Sequence, residues 1–198
     1  MSPEKRSLLL QTNIDRAVDV LQSLADLAEP LTEAADLMRR CLTGGHKVLT
    51  CGNGGSAADA AHLATEIACR FVDDRPPYPA ICLSDAAATG TATSNDYGYD
   101  DVFARQVWAF GKPGDVLVAF STSGKSPSIT AALKKARAMR LESVAFLGRD
   151  GGDAKGLATV ELIVPCDVTV RIQEAHELLY HTLCEMIEPD LATGQRGG

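Results

Sequence analysis

His62 and Glu66 stand four residues apart in a run that opens Gly52-Asn53-Gly54-Gly55-Ser56 and continues through alanines. On a helix that spacing puts an imidazole and a carboxylate on one face, which suits acid–base chemistry but is equally the spacing of a solvated ion pair. The glycines ahead of them let the backbone turn sharply and approach a ligand, and Ser56 can cap the helix and leave its first N–H groups aimed at an anion. A second polar loop, Ser121-Thr122-Ser123-Gly124-Lys125-Ser126, sets four hydroxyls around one glycine ahead of Pro127. Hydroxyl and backbone N–H donors together suit a phosphate monoester, although the same residues also make an ordinary serine turn with a cap. Farther on, Arg171-Ile172-Gln173-Glu174 is followed by His176 and His181, and His62 makes a third histidine near the loops. Imidazole and carboxylate ligands with a spare position suit Zn2+ or a similar divalent ion.

Nucleotide chemistry fits less well. The second loop lacks the G-x-x-x-x-G-K-[ST] pattern of a triphosphate loop. Gly52, Gly54 and Ala57 match G-x-G-x-x-A, but a dinucleotide site also needs an acidic residue about 20 residues on, at the end of the second strand. The candidate, Asp85, lies more than thirty residues beyond Gly52.

The elements that must position these groups follow from hydrophobic periodicity. Ile14, Ala17, Val18, Leu21, Leu24, Ala25 and Ala28 predict a first helix ending near Pro30, and Leu31 to Leu42 a second that stops at Gly44-Gly45. Val48–Cys51, Ala80–Leu83, Val116–Phe120, Ser143–Leu147 and Val160–Val164 read as five short, nearly all-apolar strands. Helices are expected after the first strand, over Asp100–Phe110, from Pro127 to Met139, and from Val170 to Glu188; Asn95-Asp96-Tyr97-Gly98 reads as a turn. Apolar strands alternating with helices imply a parallel sheet covered on both faces, an α/β three-layer α/β/α sandwich. An order 2-1-3-4-5 would put the first and third strands, and therefore both polar loops, at the topological switch point. Two helices before the first strand exceed a minimal α/β unit. Their apolar faces cover the sheet or pair with another copy of the chain, and the first helix is expected to do the latter.

The chain has 198 residues, 45% apolar and 23% charged, enough for one domain with a real core, and a net charge of -7 argues against general nucleic-acid binding. The six cysteines show no C-x-x-C pairing and predict buried free thiols in a reducing compartment. No run approaches the ~20 apolar residues of a membrane span and the start is a poor signal peptide, so the cytoplasm is expected.

Taken together, Cys51-Gly52-Asn53-Gly54-Gly55-Ser56 with His62 and Glu66, Asn95-Asp96-Tyr97-Gly98-Tyr99, Ser121-Thr122-Ser123-Gly124, and Arg171-Ile172-Gln173-Glu174 with His181 resemble the sugar isomerase (SIS) family. Within it they are similar to the branch that acts on seven-carbon sugar phosphates, in order and over nearly the whole chain. The resemblance implies a flavodoxin-like SIS fold over residues 45–198 with an oligomerising helical arm over residues 1–44. It implies a homotetramer with active sites at subunit interfaces that interconverts sedoheptulose 7-phosphate and D-glycero-D-manno-heptose 7-phosphate through an enediol, the first step toward the heptose of lipopolysaccharide or other surface glycans. Carried over residue by residue, Asn53, Gly54, Gly55, Ser56, Glu66, Asn95, Asp96, Ser121, Thr122, Ser123, Ser126 and Gln173 would bind substrate. Glu66 would serve as base with His181 as partner acid or base, and His62, Glu66, Gln173 and His181 would hold zinc. Gln173 and His181 are eight residues apart, a rise of ~12 Å on an ideal helix, so Gln173 precedes the regular helix, or the side chains converge, or a second subunit contributes. Asp167-Val168-Thr169-Val170 departs from the acidic or small residue that many members carry beside the Arg. Relatives that associate with the bacterial replication initiator instead of catalysing lack the Glu and His pair; Glu66 and His181 are both present here. A sugar-phosphate sensor of the kind fused to transcription regulators is the third reading, without a DNA-binding segment beside the domain to support it.

Overall fold

The computed structural model describes residues 1–193. Its apolar runs form five parallel strands, β1 (Val48–Gly52), β2 (Ala80–Cys82), β3 (Val116–Ser121), β4 (Glu142–Gly148) and β5 (Val160–Val164). They lie in the order β2-β1-β3-β4-β5, as the sequence leads one to expect. Among the described residues seven helices surround them: α1 (Pro3–Ser23), α2 (Ala28–Thr43), α3 (Gly55–Ala68), α4 (Ala87–Tyr97), α5 (Val102–Phe110), α6 (Pro127–Ala138) and α7 (Thr169–Thr193).

The sheet is buried on both faces because successive side chains alternate sides. Val116, Val118 and Phe120 of β3 join Val144 and Phe146 of β4 in a core shared with α2, α3 and α7. Leu117, Ala119, Ala145 and Leu147 point the other way, onto α5 and α6. Phe120 and Phe146 stack with centroids 4.7 Å apart at the centre of the first core. Each such side chain removed from water contributes roughly 1.5–3 kcal/mol, so the middle of the sheet is a rigid base for the loops at its carboxyl end.

Several boundaries differ from expectation. The break between the first two helices is a 3-10 turn at Leu24–Leu27, and Pro30 lies inside the first turn of α2, where its missing N–H costs no hydrogen bond. Asn95-Asp96-Tyr97 ends α4 instead of forming a free turn, and Gly98 closes it at φ 95. Helix α7 runs past Pro189 to Thr193. Ser56 is not the cap of α3; Gly54 occupies that position at φ 58, and the buried Ser56 lies in the first turn. All six cysteines are free, but Cys69 is exposed and Cys82 and Cys166 are half-buried, so only Cys41, Cys51 and Cys184 match the expected burial. Burial pushes the Cys41 and Cys184 thiols up to about 12.

Helix α1 buries none of its residues and exposes Leu8, Leu9, Leu10, Ile14 and Val18. Arg171 Nη1 ties it to α7 by donating to the Asn13 carbonyl at 2.8 Å. Among the described residues no helix is long and apolar enough to cross a membrane.

Candidate active site

Strands β1 and β3 are neighbours, so the loops that follow them share one crevice beyond the sheet's carboxyl end. Asn53 bridges the two. Its Nδ2 donates to Ser126 Oγ at 2.9 Å and Ser128 Oγ at 3.0 Å, and its Oδ1 accepts from the Tyr99 hydroxyl at 2.5 Å. The second loop is held by its own hydroxyls: Ser121 Oγ accepts from the Gly124 N–H and Ser123 Oγ from the Lys125 N–H. Ser126 precedes Pro127 at the start of α6 and faces Ser128 at 3.1 Å. Helices α3 and α6 therefore both present N-termini to the crevice, which favours an anion there. Thr122 is half-buried between Ser121 and Ser123.

Gln173 reaches this crevice from α7. A Cβ on Gly55 would collide with Gln173 Nε2, so the absence of a side chain at Gly55 is what lets the amide lie over the start of α3. Gln173 is within the regular helix, since α7 begins at Thr169.

Farther along α3, His62 and Glu66 form the expected pair, Nε2 to Oε1 at 3.0 Å. Helix α7 adds the rest of the cluster. The Tyr180 hydroxyl lies 2.8 Å from His62 Nδ1, the His181 ring stands nearly perpendicular to that of His62 with centroids 4.9 Å apart, and Phe71 packs on His181 from the other side. Glu177 Oε1 is 3.9 Å from His62 Nδ1. His62, Glu177 and His181 thereby form a candidate His/Glu/His metal-binding group, their ligand atoms within 4.8 Å of one another. Burial pushes the Asp59 carboxyl up to about 6, the charge of Glu177 adding and His62 opposing. The Tyr180 phenol is raised as well, by burial first and then by Glu177.

The backbone of Glu66 is fixed from beneath. Arg75, whose side chain is 2% exposed, donates from Nη2 to the Glu66 carbonyl at 2.7 Å and from Nη1 to the carbonyls of Ile67 at 3.2 Å and Pro76 at 3.1 Å. Its Nε lies 3.5 Å from Glu188 Oε1 of α7, and that carboxylate accepts the N–H groups of Phe71 and Val72.

The structure thus brings Asn53, Gly54, Gly55, Ser121, Ser126 and Gln173 to one crevice and gathers His62, Glu66 and His181 along the α3–α7 seam. Asn95 and Asp96 stay apart: Asn95 donates to Asp96 at 2.8 Å at the exposed end of α4, and among the described residues neither hydrogen-bonds to the loops. Asp96 instead borders a cavity of about 580 Å³ with Tyr97 and Arg105. Glu177, Tyr180, Tyr99 and the Arg75–Glu188 pair were not anticipated. Glu177 had a usable signal, one helical turn before His181 and one after Gln173; Arg75 and Glu188, more than a hundred residues apart, had none.

The SIS domain family matches the chain over residues 13–148. Phosphoheptose isomerase of Shewanella frigidimarina is 46% identical over 190 residues, spanning 92% of this chain and 96% of that protein. The solved phosphoheptose isomerase of Neisseria gonorrhoeae superposes with a TM-score of 0.85 at 39% identity, covering 95% of this chain and 100% of its own. That of Francisella tularensis does so at 0.89 and 34%, covering 96% and 100%. By domain match, identity and superposition, the chain belongs to the SIS domain family, in its phosphoheptose isomerase branch.

Proposed function

We propose that the chain interconverts sedoheptulose 7-phosphate and D-glycero-D-manno-heptose 7-phosphate in the cytoplasm, opening the synthesis of heptose for lipopolysaccharide or other surface glycans. The observation that carries this reading is the convergence of Glu66, His62 and His181 along the seam that leads to two anion-favouring helix N-termini. The hydroxyls of Ser121, Thr122, Ser123 and Ser126 suit the phosphate, while Asn53, the Gly54–Ser56 turn and Gln173 suit the polar end of the sugar. In the direction from ketose to aldose, Glu66 takes a proton from C1 while His181 gives one to the C2 carbonyl oxygen, leaving an enediol. Return of the first proton to C2 and loss of the O1 proton to His181 complete the exchange and restore both side chains. The donor set also fits a divalent ion such as zinc, two imidazoles with carboxylates at hand. The family resemblance assigns it to His62, Glu66, Gln173 and His181, where it would supply charge stabilisation for the enediol oxygens. A non-catalytic, initiator-binding role would leave the Glu66 and His181 arrangement without a task.

The uncovered apolar face of α1 supports assembly through this arm into the homotetramer, with sites at subunit interfaces that Asn95 and Asp96 of the α4 end would help complete. Glu66→Gln and His181→Ala should each abolish isomerisation, and with it solvent-deuterium uptake at C1 and C2 read by NMR, while light scattering still reports the wild-type assembly. Full turnover by both variants overturns the mechanism.

A further inference from the structure

We propose that Tyr99 is a positioning residue for the substrate's phosphate, setting through Asn53 the direction of a hydrogen-bond chain that ends on the hydroxyl proton of Ser126; this rests on the sugar-phosphate isomerase reading above. Gly98, at φ 95, turns the chain out of α4 into a short 3-10 turn, Tyr99–Asp101, and so brings the phenol to the first loop. The Tyr99 hydroxyl donates to Asn53 Oδ1 at 2.5 Å. With its carbonyl end held there, the amide turns both Nδ2 protons to the second loop, onto Ser126 Oγ at 2.9 Å and Ser128 Oγ at 3.0 Å. The Asn53 backbone, with the Gly54–Ser56 turn, is left for the sugar.

The two serines carry the direction onward. Ser128 is fully buried and Ser126 half-buried, their oxygens 3.1 Å apart. Ser128 accepts from Asn53, so its own proton goes to Ser126 Oγ, the acceptor within reach. Ser126 Oγ then accepts twice, from Asn53 and from Ser128, and its proton is left for a third group. Ser126 holds the N-cap position of α6, yet its side chain makes no capping hydrogen bond. Its proton is therefore offered to an anion at the helix N-terminus, and each bond upstream polarises the next. Were the amide reversed, its oxygen would claim that proton and the phosphate would lose a donor.

The test is binding of inorganic phosphate to the full-length protein by titration calorimetry, with steady-state isomerisation alongside, for wild type, Tyr99→Phe, Asn53→Ala and the double variant. Phenylalanine keeps the exposed ring, so the melting curve of Tyr99→Phe should match that of wild type. Loss of this one hydrogen bond should weaken phosphate binding by about three- to tenfold and raise KM by a similar factor, with a smaller change in kcat. In the Asn53→Ala background the same substitution should change phosphate affinity by less than about twofold, because the chain is already cut. Tyr99→Phe binding phosphate within about twofold of wild type overturns the proposal, whether or not its melting temperature falls, and so does a full effect that persists without Asn53. A wild type whose phosphate binding depends on Tyr99 but which turns over no sugar phosphate sinks the isomerase reading and leaves the chain standing.

Discussion

Arg75→Met removes a guanidinium that serves three carbonyls and one carboxylate at once, and the cost can be worked through contact by contact. Taking one member from a buried ion pair costs about 3–5 kcal/mol because the other charge is left uncompensated. Glu188 keeps the N–H groups of Phe71 and Val72, which moves the expectation to the low end, about 3 kcal/mol. At about 2–4 °C per kcal/mol for a domain of this size, the melting temperature should fall by roughly 6–12 °C. Arg75→Met/Glu188→Met should recover part of that loss, since no charge is then stranded. The second effect is local. The Glu66 carbonyl loses its Arg75 donor while that of Ile67 keeps only the Tyr78 N–H, and a catalytic group displaced by about 1 Å can cost up to about a hundredfold in rate. The substrate loops lie at the opposite end of α3, so kcat should fall while KM stays near wild type. Urea unfolding and steady-state kinetics on the two variants read both effects. A single variant within about 1 kcal/mol of wild type, or one that turns over at the wild-type rate, refutes the reasoning.

His176 is fully buried, donates from Nε2 to the Leu147 carbonyl at 3.1 Å, and is pushed by burial down to about 4. The unfolded chain therefore binds the extra proton from about pH 6.5 downward while the folded one resists to about 4, and stability should drop by about 3 kcal/mol across that window. The raised Asp59 carboxyl acts with the opposite sign, the folded state gaining stability as pH falls toward 4, so the comparison with His176→Leu isolates the histidine: between pH 7 and pH 5 the urea midpoint of the variant should rise while that of wild type falls slightly. An unchanged slope counts against the assignment. Gly55→Ala should fold normally, because its Cβ meets only the mobile end of Gln173, yet it should raise KM by displacing that amide; unaltered KM would separate Gln173 from the substrate.

How far the chain could be read in advance follows from the range of each signal. Strands such as Val160–Val164 announce themselves because every residue is aliphatic or half-buried within a run of five, and the strand order follows from where the polar loops must meet. The 3-10 turn at Leu24–Leu27 does not, since Leu24, Ala25 and Ala28 keep the helical period straight through it, and Pro30 draws the eye to the wrong residue. Within the site, His62 and Glu66 were legible from spacing four, and Glu177, at the same spacing from His181, passed for one more charged residue on an exposed face. The Arg75 clamp depends on a contact between α3 and α7 that only the packed sheet creates.

Helix α7 carries the Gln173 amide over the crevice, His176 against the sheet, Tyr180 and His181 in the seam, and Glu188 in the clamp. It therefore works as a ruler whose marks cannot be moved one at a time. Deleting a single residue between His181 and Glu188 would swing one set about 100° relative to the other, so that either the seam or the clamp, but not both, could face α3. Substitutions along this helix are open to selection, whereas changes of length are closed to it.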